Sequence, residues 1–391
     1  MILPTRVLVV GLARSGRSAT AALARRGVDV VGADRLLGND DDATLLERVE
    51  LVIKSPGVPG ENALVRRARD GGIPVWSEVE LGYRLLPGCR FLGVTGTNGK
   101  TTTVELLGTI FRAAGRSVVV AGNVGRPLTS TTSADWVVCE LSSFQLEDVH
   151  ELACEIAVLL NLEPDHIDRH GTLDAYRDAK LRIFERAGTA IVPQGLGLPG
   201  IEFSRHDPLP AEPRMPGAHN RENAAAATAA ARAAGIDDGA IAQALREFPG
   251  VEHRLELVAE IRGVRYVNDS KATNTAAARR ALAAYDAPLR VILGGSLKGE
   301  DFAPLAEAMP ESVRAAYLIG EAADELEAAL RLTGIPFERC GELAVAVERA
   351  AAEAEGGEIV LLSPACASFD QFRDFEHRGE EFRCLVQKLE R

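Results

Sequence analysis

Residues Gly93-Val94-Thr95-Gly96-Thr97-Asn98-Gly99-Lys100-Thr101-Thr102 decide how this chain is read. An apolar, strand-like run, Phe91 to Val94, enters them, and a helix-forming stretch from Lys100 to about Ala114 leaves them. A strand, a glycine-rich loop and a helix N-terminus together present backbone amides to phosphate oxygens. A lysine in such a loop reaches terminal phosphates, and the next hydroxyl can bind Mg²⁺. The strict spacing GxxxxGK[ST] requires a glycine where Val94 stands. The shorter core Gly96-x-x-Gly99-Lys100-Thr101 is intact. A glycine turn that merely starts a helix is the competing reading, and the Lys-Thr pair favours nucleotide. Gly96, Thr97, Asn98, Gly99, Lys100, Thr101 and Thr102 are therefore candidate ATP contacts.

Downstream, strands are expected at Ser117 to Ala121, Trp136 to Glu140 and Ile156 to Asn161. Glu140 closes an apolar run, so it would stand on the same sheet edge as the phosphate loop. It could ligate Mg²⁺, which prefers oxygen, or simply cap the next helix. His166 follows the third strand among Glu163, Asp165 and Asp168, a crowded polar cluster for a strand end. Lys180 shares a helical face with Tyr176 and Phe184. It is either a functional lysine between two rings or one that snorkels over apolar surface. The alanine-rich stretch Asn223 to Ala234 reads as a buried, closely packed helix.

Upstream, strands at Arg6 to Val10, Asp29 to Ala33, Leu51 to Ile53 and Ile73 to Trp76 alternate with helical patterns, including Gly16 to Arg26 with Gly27 as its cap. The polar stretch Arg35 to Asp42 reads as a loop. Gly11-Leu12-Ala13-Arg14-Ser15-Gly16 echoes a dinucleotide fingerprint but has alanine at the middle glycine, which weakens an NAD reading. Asp34 stands where a ribose-binding acid would sit. A nucleotide-like ligand held by helix amides fits this segment better. After Val251 comes a hairpin pattern, Leu255 to Val267, turning at Arg262-Gly263. Strands at Leu289 to Leu293, Ala315 to Ile319 and Ile359 to Leu362 follow. The expected fold is three consecutive α/β domains: a Rossmann-like one over 1–89, a P-loop ATPase-like one over 90–250 and a second Rossmann-like one over 251–391.

A length of 391 residues suits two or three domains. The net charge of -12 argues against a nucleic-acid partner bound through a broad basic face. Six cysteines without a CxxC pair read as free thiols in a reducing compartment. No secretory leader and no apolar run of membrane-spanning length is visible, so a cytoplasmic chain without membrane insertion is expected.

Taken together the motifs VTGTNGKTTT, GNVGRP, ELSSFQLE, NLEPDHIDRHGTLDAYRDAK, GAHNRENAAAA, HRLE, NDSKATNTAAA, LGGSLKGEDF and SPACASFDQFRDFEHRGEEF resemble the Mur ligase family over nearly the whole chain. NDSKATN and SPACASFDQF with FEHRG resemble the branch that adds D-glutamate. That resemblance implies ATP-dependent joining of D-glutamate to UDP-N-acetylmuramoyl-L-alanine in peptidoglycan precursor synthesis, through an acyl phosphate, by a monomer. It implies that Lys100 and Thr101 serve the γ-phosphate and Mg²⁺, that Glu140 and His166 ligate magnesium, and that Lys180 carries a CO₂-derived carbamate. It assigns Asn123, with Arg14, Ser15 and Asp34, to the UDP substrate. Asn220, Asn223, Arg254 and Asp269 are assigned to ATP. Lys271, Thr273, Lys298, Ser368 and Phe375 are assigned to D-glutamate and the acyl phosphate. The loop after Asp34 and the stretch Val192 to Met215 are short for the family, and Leu297 stands where relatives often have an acid. A sister ligase, a folylpolyglutamate synthase, a non-catalytic nucleotide-binding regulator and a dehydrogenase are the rival readings.

Overall fold

The computed structural model describes residues 3–390 except Lys298 and Glu300, and only the backbone at Asp168. The chain divides into two compact units, Met1–Glu212 with Glu222–Glu247, and Pro213–Arg221 with Phe248–Arg391.

The first unit opens with β1 (Arg6–Val10), β2 (Asp29–Ala33), β3 (Leu51–Lys54) and β4 (Val75–Ser77). They pair in parallel in the order β2-β1-β3-β4. Side chains of β1 alternate between two apolar clusters, Leu8 and Val10 on one face and Val7 and Val9 on the other. Burial on both faces is why the strand is continuously apolar. The helix expected from Gly16 begins earlier, at Arg14, and runs to Ala24. The stretch after Asp34 is not a plain loop. It holds two short 3₁₀ turns, Arg35–Leu37 and Ala43–Leu46, each started by an aspartate side chain that accepts a backbone N–H.

The same unit continues with β5 (Arg90–Thr95), β6 (Val118–Gly122), β7 (Trp136–Glu140), β8 (Ile156–Leu159), β9 (Thr189–Pro193) and β10 (Ile201–Phe203). All pair in parallel, in the order β10-β9-β8-β5-β7-β6. β5 lies between β7 and β8, where the strand order reverses. The C-terminal end of such a strand opens into a crevice. The helix Lys100–Ala113 buries Val104, Leu107 and Phe111 on one face, as the 3.6-residue repeat requires. The alanine-rich stretch lies in the helix Ala218–Ala233, with Ala224 to Ala227 buried as expected.

Buried polar groups join these two sheets. The Lys54 Nζ lies 2.9 Å from Glu147 Oε2 and 2.6 Å from Asp148 Oδ2. The first contact is a hydrogen bond; the second is an ion pair without hydrogen-bond alignment. The Glu80 carboxylate accepts the backbone N–H groups of His150, Glu151 and Leu152 and pairs with Arg84. Glu78 accepts from both the N–H and the hydroxyl of Thr129, and burial pushes its carboxyl above the usual range.

The second unit contains β11 (Glu256–Ile261), β12 (Val264–Asn268), β13 (Leu289–Gly294), β14 (Val313–Ile319), β15 (Phe337–Gly341) and β16 (Ile359–Leu362). Their order is β11-β12-β16-β13-β14-β15. β11 and β12 form the antiparallel hairpin expected at Arg262-Gly263, and the remaining pairs are parallel. The C-terminal helix Phe375–Leu389 covers one face through Phe382, Leu385 and Val386. All six cysteines are free thiols. Among the described residues no helix is long and apolar enough to cross a membrane.

Candidate active site

The loop after β5 is built as its sequence requires. Gly99 holds φ at +83°, a left-handed value, and a Cβ there would lie 2.2 Å from the Asn223 Oδ1. Glycine lets the buried Asn223 side chain close on the loop. Asn161, from the segment after β8, clamps the loop from the other side. Its Oδ1 accepts the Asn98 N–H at 2.8 Å and its Nδ2 donates to the Asn98 carbonyl at 3.2 Å. The Thr97 hydroxyl lies 3.0 Å from the Tyr176 hydroxyl. Thr101 and Thr102 are buried in the first turn of the following helix. The Lys100 Nζ donates to the carbonyls of Gly96 and Thr97, at 2.9 and 3.0 Å.

Lys180 converges on the same place. Its Nζ donates to the Gly96 carbonyl at 2.8 Å and lies 4.6 Å from the centre of the Tyr176 ring. Burial and then the Lys100 charge lower its pKa to about 7, against the pull of Asp165 and Glu140. An amine in that range is substantially neutral at physiological pH, and only a neutral amine is a nucleophile. The expected second ring is not a partner. Phe184 falls in the 3₁₀ turn Arg182–Phe184 and packs on the apolar cluster of Phe91 and Ile183, because the helix ends at Leu181.

Glu140 is not a surface acid. Its side chain is 2 % exposed, its Oε1 accepts from the Asn123 Nδ2 at 3.1 Å, and its Oε2 has no hydrogen-bond partner among the described residues. A buried carboxylate oxygen without a partner is costly, and a hard cation would satisfy it. His166 follows β8. It occupies a left-handed position with φ of +52°, half exposed, with its Nε2 3.6 Å from Asp165 and its ring against Phe144. Among the described residues no trio of His, Cys, Asp or Glu side chains is gathered as a metal cage. Mg²⁺ needs no such cage, since it is commonly held by one or two carboxylates together with substrate phosphates. The donor set therefore fits it.

A cavity of about 540 Å³ brings together Arg14, Ser15, Asp34 and Asn123, and Arg14 also donates to the Gly125 carbonyl, 111 residues away, at 3.2 Å. The loop after β1 and the segment Ser55 to Pro59 also line it. Asp34 lines this cavity. Its two oxygens accept the N–H groups of Leu12, at 2.5 Å, and Leu36, at 2.9 Å, which hold it below the usual carboxylate range. It shapes the cavity by tying two loops. Asn123 links this cavity to Glu140.

In the second unit the predicted residues cluster at the C-terminal ends of β12, β16 and β13. Asp269 is buried, accepts from the Ser363 hydroxyl at 2.9 Å and from the Leu255 N–H at 3.3 Å, and burial raises its pKa to about 7. The Arg254 charge acts on it in the opposite direction. Lys271 stands over the Phe375 ring at 5.2 Å, the Thr273 N–H donates to the Lys271 carbonyl at 2.9 Å, and Ser368 is buried. Asn220 is also buried, and its amide donates to the Pro216 carbonyl at 2.7 Å. Lys298 lies outside the described residues.

Pattern reading missed three groups. One is the Asn161 clamp. Another is His170, whose side chain is 3 % exposed, with Nε2 3.0 Å from the Ser143 hydroxyl and Nδ1 3.3 Å from Glu147. It stacks on Phe144 at 5.1 Å, and burial lowers its pKa. Its spacing of four residues from His166 was the available signal. The third is Arg378, a fully buried guanidinium in the motif FEHRG.

Two family models match the chain: the Mur ligase middle domain over residues 94–195, and the Mur ligase glutamate ligase domain over residues 253–366. The chain is 40 % identical to the UDP-N-acetylmuramoylalanine--D-glutamate ligase of Desulfitobacterium hafniense, over 98 % of this chain and 97 % of that protein. It is 41 % identical to the protein of the same name from Sphingopyxis alaskensis, over 98 % and 97 %. Among solved structures, UDP-N-acetylmuramate-alanine ligase from Thermotoga maritima aligns with a TM-score of 0.66 at 19 % identity, over 98 % of this chain and 99 % of that one. E. coli FolC, in complex with ADP and DHPP, aligns at 0.60 and 20 % identity, over 80 % and 92 %. At such identities the likeness to these structures concerns the fold.

Proposed function

The chain belongs to the Mur ligase family, and from that premise we propose that it joins D-glutamate to UDP-N-acetylmuramoyl-L-alanine at the expense of ATP. The relatives named for that reaction match at about 40 % identity along nearly the whole chain. The observation in the molecule that carries the reading is the convergence of Lys100 and Lys180 on the Gly96 carbonyl, on the sheet edge that also bears the buried, unpartnered Glu140 oxygen.

The alanyl carboxylate attacks the γ-phosphorus of ATP, the bond to the bridging oxygen breaks, and ADP leaves from an acyl phosphate. The neutral amine of D-glutamate then attacks the acyl carbon, and inorganic phosphate departs from the tetrahedral adduct. The protein's task in both steps is positioning and charge neutralisation. Lys100 and the amides from Gly96 to Thr102 receive the phosphates. Asn123, between the cavity and Glu140, orients the carboxylate end of the UDP substrate, whose nucleotide end takes the cavity of Arg14 and Ser15. Glu140, His166 and Thr101 would hold Mg²⁺, which supplies further charge neutralisation when bound. A carbamate on Lys180 would turn that cation into an oxygen donor. Asn220, Asn223, Arg254 and Asp269 serve ATP, and Lys271, Thr273, Lys298, Ser368 and Phe375 serve D-glutamate. The functional division at residues 89 and 250 follows these roles. The enzyme acts as a monomer in the cytoplasm, where ATP is available.

Phosphate release with ATP and UDP-N-acetylmuramoyl-L-alanine, with and without D-glutamate, tests the reading. Turnover that requires D-glutamate and is not supported by L-alanine, a diamino acid or a folate is expected. Turnover with any of those in place of D-glutamate would overturn it.

A further inference from the structure

Arg378 is the largest charged side chain with no exposure at all in the second unit. It lies on the C-terminal helix, one turn after Phe375. Its guanidinium reaches loops at the ends of three neighbouring strands. The Nε donates to the Ser270 hydroxyl at 3.0 Å and one terminal nitrogen to the Ser270 carbonyl at 2.8 Å, in the loop after β12. The Cys366 and Ala367 carbonyls, after β16, accept at 3.1 and 3.0 Å. The Gly294 carbonyl, at the end of β13, lies 3.5 Å away.

The surroundings are shaped to this group. A Cβ on Gly295 would come within 2.1 Å of the Ala367 carbonyl and 3.0 Å of the guanidinium, so glycine is needed for the loops to close around it. Ala365, next to the Cys366 that Arg378 grips, holds φ at +61°, a strained value for a residue with a side chain. The Ser270 hydroxyl passes the connection on by donating to the Phe375 carbonyl at 2.8 Å. No carboxylate forms an ion pair with Arg378 among the described residues. Its donors are spent on the Ser270 hydroxyl and on backbone carbonyls, where a planar fork with fixed directions sets distances that a flexible ammonium would not.

Two of the three segments it binds carry Lys271, Thr273 and Ser368, and its own helix begins with Phe375. We propose that Arg378 is a positioning residue that sets the spacing of the loops forming the amino-acid subsite, and through them the affinity for the incoming acidic amino acid. This rests on the reading of that subsite given above. Arg378 touches neither substrate nor nucleotide; it acts through Ser270, Cys366 and Ala367.

The test uses the full-length enzyme with Arg378→Lys and Arg378→Met, each checked for a cooperative melt. KM for D-glutamate should rise roughly 10- to 100-fold, as expected when binding groups are misplaced by about an ångström. KM for the UDP substrate should stay within about twofold to threefold, and acyl-phosphate formation without D-glutamate, read by borohydride trapping, should fall by a much smaller factor than the D-glutamate KM rises, because no amino acid is bound in that half-reaction. Arg378→Lys, which keeps a donor, should fall between the wild type and Arg378→Met. If Arg378→Met does not fold, the comparison is made on Arg378→Lys with Ser270→Ala. A D-glutamate KM unchanged in a folded variant, or an equal rise in every KM, would overturn the proposal. A wild-type enzyme that forms acyl phosphate but ignores D-glutamate would instead overturn the substrate assignment.

Discussion

Replacing Lys54 with methionine keeps most of the side chain's volume and removes its charge. The perturbation strikes a chain of polar contacts that runs from His170 through Glu147, Lys54 and Asp148 to Arg69. The Lys54 side chain is 1 % exposed and Asp148 6 %, so the Asp148 carboxylate cannot simply be rehydrated in place. Removing one member of a buried ion pair costs about 3–5 kcal/mol. Asp148 would keep Arg69 at 2.6 Å, and Glu147 is 25 % exposed and retains His170, so the low end applies. About 3 kcal/mol corresponds to a fall in Tm of about 6–12 °C for a unit in the 150–250-residue class. The assay is calorimetry of wild type, Lys54→Met, Asp148→Asn and the double variant. Because both residues serve one contact, the double variant should lose at least about 1 kcal/mol less than the two single losses combined. A Tm fall under about 2 °C for Lys54→Met, or additivity within about 0.5 kcal/mol, would refute the claim that this contact welds the two sheets.

Lys100→Ala should melt like the wild type yet lose at least about 100-fold in turnover, equivalent to about 3 kcal/mol of charge stabilisation; near-normal phosphate release would remove Lys100 from the ATP site. Lys180→Arg should be as inactive as Lys180→Ala, and a small carboxylate should restore activity to the alanine variant only; substantial activity in Lys180→Arg would exclude the carbamate. Asp269, raised to about 7 by burial, holds a proton in the folded chain that the unfolded chain has lost between about pH 4 and 7. It therefore costs stability increasingly as pH rises through that window, and Asp269→Asn should gain stability relative to wild type between pH 5 and pH 8. Parallel Tm curves for the two proteins would contradict this.

The sequence by itself determined the local chemistry. The apolar runs, the Gly99-Lys100-Thr101 core and the Arg262-Gly263 turn specify their elements through short-range sterics and period, so strands such as Trp136–Glu140 were legible to the residue. It also marked Lys100, Glu140 and Lys180, because a strand end or a helix face follows from spacing alone. Only the tertiary structure decided which of these groups meet. Lys54 and Glu147 are 93 residues apart, and Arg378 reaches Ser270 across 108. Such pairs leave no periodic trace, because burial of a charge is settled by what folds over it. For the same reason the sequence did not show that Asp34 also holds the Leu12 backbone amide, 22 residues away. Phe184 left its predicted partner for the apolar cluster when the helix stopped at Leu181. In the motif with two histidines, packing against Phe144 and Glu147 made His170 the buried one and left His166 half exposed.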